Sequence, residues 1–137
     1  MTSSILQKQA TLVAEFEALS DWQEKYKKII DFSNKLPVFP DELKTETHRV
    51  RGCSSNVWFI IKGTQEHVEL TGDSDSLIMK GLLSILINLY SGHSAHDIVT
   101  TPPDFIQEIG LNIHLSMNRT NGLGEILRKI QTDVQSL

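Results

Sequence analysis

HRVRGCSSNVWFII, residues 48–61, is the stretch on which the reading of the fold turns. Its second half, Val57, Trp58, Phe59, Ile60 and Ile61, is a short apolar run rich in β-branched and aromatic side chains, which marks a buried strand. Its first half carries the chain's one cysteine, Cys53, with Arg49, Arg51 and Gly52 before it and Ser54, Ser55 and Asn56 after it. Small and polar residues at the mouth of a core strand predict a turn, so a thiol is expected on a turn with a rigid footing. If the segment is extended through Arg49, Arg51 and Cys53, the three side chains share a face, because a strand repeats every two residues. Positive charge beside a thiol favours the thiolate, the nucleophilic form. The competing reading is a small buried hydrophobe; it fits less well, because Cys53 precedes the apolar run rather than lying inside it.

Working outward, residues 45–51 are predicted as an edge or rim strand, since apolar side chains are sparse there. Lys62, Gly63 and Thr64 make a turn into residues 67–71, where Val68 and Leu70 alternate with polar neighbours as in a half-exposed strand. The sheet expected is small, antiparallel and three-stranded. Before it, residues 4–19 read as an amphipathic helix, with Ser4 and Gln7 at capping-box spacing and Ile5, Leu12, Phe16 and Leu19 facing the core. Ser20 and Gln23 repeat that spacing and open a second helix through about Leu36, stopped by Pro37 and Pro40. With almost no linker between them, the two helices are expected to form an αα-hairpin.

After the sheet, GDSDS at residues 72–76 offers Asp73, Ser74 and Asp75 as N-caps for a helix running to about Tyr90. That helix is apolar on nearly every side and so should be the buried one. Gly81 inside it costs about 1 kcal/mol against alanine, which is explained if another backbone packs against it. Ser94 and Asp97 start a short helical turn, and Pro103 and Gly110 bracket another short helix. Residues 111–115 read as irregular. Thr120 or Asn121 caps a final helix from Gly122, with Leu123, Ile126, Leu127, Ile130 and Val134 inward.

The 137 residues suit a single domain with its own core. A net charge of −4 without a basic tract argues against nucleic-acid binding. No stretch approaches the ~18 apolar residues a membrane span needs, and the N-terminus, with Lys8, Glu15 and Glu17, lacks the pattern of a signal peptide. With a lone cysteine, this implies a reducing, cytoplasmic setting and no internal disulfide.

Other chemistry-bearing residues are weaker. Asp73 and Asp75 are better explained as caps than as a metal pair. His48, His67, His93, His96 and His114 are scattered; His93 and His96 could share a helix face but have no evident third ligand, so no metal site is expected. Lys80 reads as a snorkelling side chain, and Arg119, in the loop NRTNG, as a surface charge or a cation near an anionic site. No GxSxG, phosphate loop, paired catalytic carboxylate or CxxC is present.

Three stretches carry a resemblance: VRGCSSNVWF at residues 50–59, ELTGDSDSLIMKGLLSIL at residues 69–86 and LSMNRTNGLGEIL at residues 115–127. Together they resemble the SufE family of sulfur acceptors, including its CsdE-type members, and the similarity extends from WQEKYKKIIDFSNKLP at residues 22–37 to the final helix. The resemblance implies an α+β fold, a small antiparallel sheet flanked by helices, similar to the scaffold proteins of iron–sulfur assembly. It implies that Cys53 receives sulfane sulfur from the persulfide of a cysteine desulfurase, stimulates that enzyme, and passes the sulfur towards iron–sulfur cluster assembly. Pyridoxal phosphate belongs to the partner, so no cofactor is expected here. Asp73 and Arg119 match family positions; Arg51 and Arg119 are candidates to stabilise anionic sulfur or contact the partner, and Asp73 to support the loop or cap the helix. One cysteine suffices for a carrier, since the desulfurase supplies the other sulfur, but is few for a cluster scaffold. The alternatives are a docking module with an incidental cysteine, an iron–sulfur scaffold and a thiol redox sensor.

Overall fold

The computed structural model describes residues 2–137, with side chains from residue 4 onward. Helices α1 (Thr2–Glu17) and α2 (Trp22–Ser33) come first, then a 3-10 turn at Asp41–Leu43. Strands β1 (Val57–Gly63) and β2 (Val68–Ser74) follow, and then α3 (Leu77–Tyr90), α4 (Ala95–Thr100), α5 (Phe105–Ile109), α6 (Leu111–His114) and α7 (Met117–Val134). The architecture is α+β. Among the described residues no helix is long and apolar enough to cross a membrane.

β1 and β2 form an antiparallel hairpin in the register Val57↔Ser74 through Gly63↔Val68. The alternation that marked the strands decides which face is covered: Val57 and Phe59 on β1 and Val68, Leu70 and Gly72 on β2 are buried. The sheet has two strands, not the three expected. Residues 45–51 contribute one bridge, Arg49↔Trp58, with Val50 N–H donating to the Val57 carbonyl and Phe59 N–H to that of His48, both at 2.8 Å. A full strand cannot form because turns close in from both sides. His48 N–H and Arg49 N–H reach back to the carbonyls of Thr45 and Glu46, and at the other end Gly52 takes φ +89°. Val50, 4% exposed, anchors the short extended piece between them.

α3 is the buried helix, as its composition required: Met79, Leu82, Leu83, Ile85, Leu86, Leu89 and Tyr90 are all covered. α2 packs against it so closely that a Cβ on Gly81 would lie 2.0 Å from the Ile29 carbonyl oxygen, which is the reason for glycine there. α1 packs against α3, α4 and α5, and α2 lies along α3. The expected αα-hairpin is therefore not formed, although Lys28 and Glu15 pair across α1 and α2 at 3.6 Å. One hydrophobic cluster connects Ile5 on α1 to Val134 on α7.

Several helix starts differ from the sequence reading. α1 begins at Thr2, so Ser4 lies within it rather than capping it. Asp21, not Ser20, caps α2, accepting from Glu24 N–H; Ser20 instead donates to the Glu24 carboxylate, and α2 ends at Ser33, short of Leu36. Ser76 caps α3 and leaves Asp73 and Asp75 free for other partners. α5 begins after Pro103 but ends at Gly110, φ +92°, as expected. Residues 111–114 form α6 rather than irregular chain, and against it Trp22 stacks on the His114 ring at 4.0 Å while the Tyr26 hydroxyl donates to the His114 carbonyl. α7 starts at Met117, capped by Ser116, a turn earlier than a start at Gly122.

Candidate functional site

The turn at residues 52–56 leads into β1 and rests on α7. Gly52, with its positive φ, reverses the chain, so Arg49, Arg51 and Cys53 do not lie on one extended face. Asn56 closes the far end of the turn. Its backbone N–H and side-chain amide donate to the two oxygens of Asp75, at 3.1 and 2.8 Å, and its carbonyl accepts from the Ser74 hydroxyl and from Asp75 N–H. The turn is thus tied to the β2–α3 junction by four hydrogen bonds.

Cys53 is half-buried and free. Its Sγ sits 3.7 Å from the Gly122 carbonyl oxygen, within reach of an S–H donor. Gly122 permits this approach: a Cβ there would stand 3.4 Å from Sγ and 3.2 Å from Met79 Cε. Cys53, Ser54, Ser55, Met79, Asn118, Arg119 and Gly122 line a niche with about 10 Å³ of free space. That is about the room one water-sized atom occupies; a metabolite does not fit.

Of the residues singled out in the sequence, Arg119 shares the niche with Cys53. It lies in the first turn of α7 rather than in a loop, its N–H held by the Ser116 hydroxyl at 3.3 Å, and it is one of the residues that line the niche. Arg51 is exposed and lies outside the niche, in a neighbouring groove with Arg49, Glu125, Arg128 and Lys129. Asp73 is neither a cap nor a niche residue. Across the sheet it pairs in register with Trp58, and its carboxylate bridges Lys44 at 3.2 Å and Lys80 at 3.3 Å. Lys80 is therefore an ion-pair partner more than a snorkelling side chain, and Lys44 also lies over the Trp58 ring. Burial acts to raise the Asp73 carboxyl, but the Ser74 N–H and the two lysines outweigh it and hold it below its ordinary value.

The electrostatics of the thiol run against the sequence expectation. Burial pushes the Cys53 thiol up from its ordinary range, the Glu125 carboxylate pushes the same way, and Arg49 opposes them. On balance the surroundings favour the thiol over the thiolate. The sequence reading missed Glu125, Gly122, Met79 and the Asn56–Asp75 clasp. Asp75 was read as a cap or half of a metal pair and Asn56 only as a small polar turn residue; Met79, Gly122 and Glu125 lie far along the chain from Cys53 and have no local signal. Among the described residues no group of three or more His, Cys, Asp and Glu could hold a metal ion.

This geometry has relatives. The family described as SufE, Fe-S metabolism associated domain, matches residues 10–134. An uncharacterized SufE-like protein of Rhizobium meliloti (strain 1021) is 31% identical over 129 residues, covering 90% of this chain and 92% of the relative. The solution structure of a hypothetical protein from Thermus thermophilus superposes with a TM-score of 0.75 at 20% identity, covering 94% of each chain, and so shares the fold. Taken with the extent of the match, which runs from α1 to the end of α7 and includes the cysteine turn, these similarities mean that the chain belongs to the SufE family.

Proposed function

We propose that the protein is a sulfur acceptor, a single cytoplasmic domain that takes sulfane sulfur from a pyridoxal-phosphate-dependent cysteine desulfurase onto Cys53, stimulates that enzyme and passes the sulfur to iron–sulfur cluster assembly. The observation that carries this reading is the placement of Cys53. A lone thiol sits at the rim of the core in a niche with room for about one further atom, in a chain of the SufE family.

The transfer is an exchange at sulfur. The Cys53 thiol loses its proton, and the thiolate attacks the terminal sulfur of the desulfurase persulfide. A new S–S bond forms on Cys53, the S–S bond on the partner breaks, and the partner's cysteine leaves as a thiolate that is reprotonated. No external oxidant or reductant is consumed. Arg119 supplies positive charge to the persulfide, which is anionic when deprotonated, and the Gly122 carbonyl holds the resting S–H. Arg51, exposed beside the turn, contacts the docked enzyme. Asp73 keeps β1, β2 and α3 in place under the turn through Lys44 and Lys80.

Incubation with a cysteine desulfurase and cysteine is expected to add roughly 32 Da, one sulfur atom, to Cys53, removable by reductant. Cys53→Ser abolishes both the adduct and the stimulation while leaving the fold intact. A second reading, a docking module whose cysteine is incidental, is favoured by the half-burial of the thiol and by surroundings that favour its protonated form. That reading predicts that Cys53→Ser still stimulates the desulfurase, so one variant separates the two.

A further inference from the structure

Glu125 occupies a place that the carrier reading does not require. It follows Gly122 by three residues on α7, so it stands nearly above the carbonyl that receives the thiol. Its stem fills the space where a side chain on Gly52 would be: a Cβ there would lie 2.9 Å from Glu125 Cγ, 3.2 Å from Cδ and 3.6 Å from Oε2. Its other carboxylate oxygen, Oε1, is drawn outward by Arg128 at 3.1 Å, a pair whose glutamate side chain is 32% exposed. One acidic side chain is thus laid across the cysteine turn and tethered on its solvent side.

The other charged groups around Cys53 have different occupations. Before the turn, Arg49 pairs with Glu46 at 3.7 Å and acts on the thiol in the sense opposite to Glu125, and Arg51 is exposed. From α7, Arg119 lines the niche. From α3, the contact is Met79, while Lys80 is held by Asp73. At the β2–α3 junction, Asp75 is taken by Asn56. Glu125 is the nearby carboxylate whose side chain lies directly over the cysteine turn.

We propose that Glu125 is a positioning residue for Cys53: lying across Gly52, the residue before the cysteine, its negative charge keeps Cys53 unreactive in the free protein. The proposal deepens the carrier reading and rests on it for its purpose, since a sulfur that must accept only from its partner has to be quiet otherwise. The direction agrees with the raised thiol, for which burial is the larger cause and Glu125 the next.

The test is the rate of Cys53 alkylation by iodoacetamide across pH, in the free full-length protein. Glu125→Gln keeps the stem in its slot and removes the charge. The expected result is a profile moved to lower pH and a rate at pH 7.5 raised roughly three- to tenfold, as the thiolate fraction grows. Glu125→Asp, which keeps the charge, is expected to remain near the parent profile. A Glu125→Gln profile that superimposes on the parent, or a Glu125→Asp profile that moves as far as Glu125→Gln, overturns the proposal; the second outcome would assign the effect to the stem. Because no desulfurase is in the assay, its failure leaves the carrier reading standing. Conversely, a Cys53→Ser variant that still stimulates the desulfurase removes the carrier reading without altering the alkylation result.

Discussion

At the residue scale, the chemistry depends on which side chains meet the sulfur. Arg119 shares the niche with Cys53, whereas Arg51 faces the groove outside it. The two arginines flank the same turn in space, and in the proposed transfer Arg119 is the one that shares the niche with the sulfur. Arg119→Gln is expected to lower the single-turnover rate of sulfur transfer from desulfurase to Cys53 by roughly tenfold, the worth of one charge-assisted hydrogen bond. Arg119→Lys should recover part of the loss. A transfer rate in Arg119→Gln equal to that of the parent protein would remove Arg119 from the chemistry. Arg51→Gln, by contrast, should raise the desulfurase concentration needed for half-maximal stimulation and spare the transfer rate at saturation.

At the element scale, the site depends on how α2, α3 and α7 pack. α3 presents Met79 to the niche, and its position is set from the opposite side by α2, whose Ile29 carbonyl lies where a Cβ on Gly81 would be. Backbone cannot yield as a flexible side chain can. Gly81→Ala is therefore expected to destabilise the protein by about 3 kcal/mol despite alanine's better helix propensity, read as a lower urea midpoint. A neutral or stabilising outcome would mean that the helices slide apart freely. The same logic applies to α7, where Gly122 is covered by Cys53 and Met79 while Gly124 has open space beside it. Two glycines with similar local signals thus have different structural demands.

At the scale of the whole molecule, the Asp73 bridge joins three parts of the chain: Lys44 from the connection before the sheet, β2 itself, and Lys80 on α3. The folded state holds the Asp73 carboxyl below its ordinary value of 3.8, so its contribution to stability is full above that pH and is lost as pH falls through the lower folded-state value. Asp73→Asn should lower stability at pH 7 by about 1–2 kcal/mol. The gap between variant and parent should close as the pH is taken below 3.8, where the parent's carboxylate is itself protonated in the unfolded chain. Urea titrations at pH 7 and pH 3 check this, and a gap independent of pH would deny the bridge its role.

Sequence alone determined the local elements of this protein. The apolar run at Val57 to Ile61, the alternation through Val68 and Leu70, the all-round apolar α3 and the inner stripe of α7 each state their own structure, because burial periodicity is a local property. It also placed Cys53 on a turn before the core strand, and the quoted stretches carried the family. It overextended the sheet, since the turns that confine residues 45–51 are closed by hydrogen bonds and a positive φ that composition does not reveal. It began α7 a turn late, because Gly122 reads as a boundary when its purpose is to let a distant sulfur approach. The state of that sulfur was decided only by the tertiary structure. The arginines adjacent in sequence suggested a thiolate, but burial in the niche and the carboxylate of Glu125 push the balance towards the thiol, against Arg49. Both effects depend on distance through space, which the chain sets only when α7 folds back over the turn.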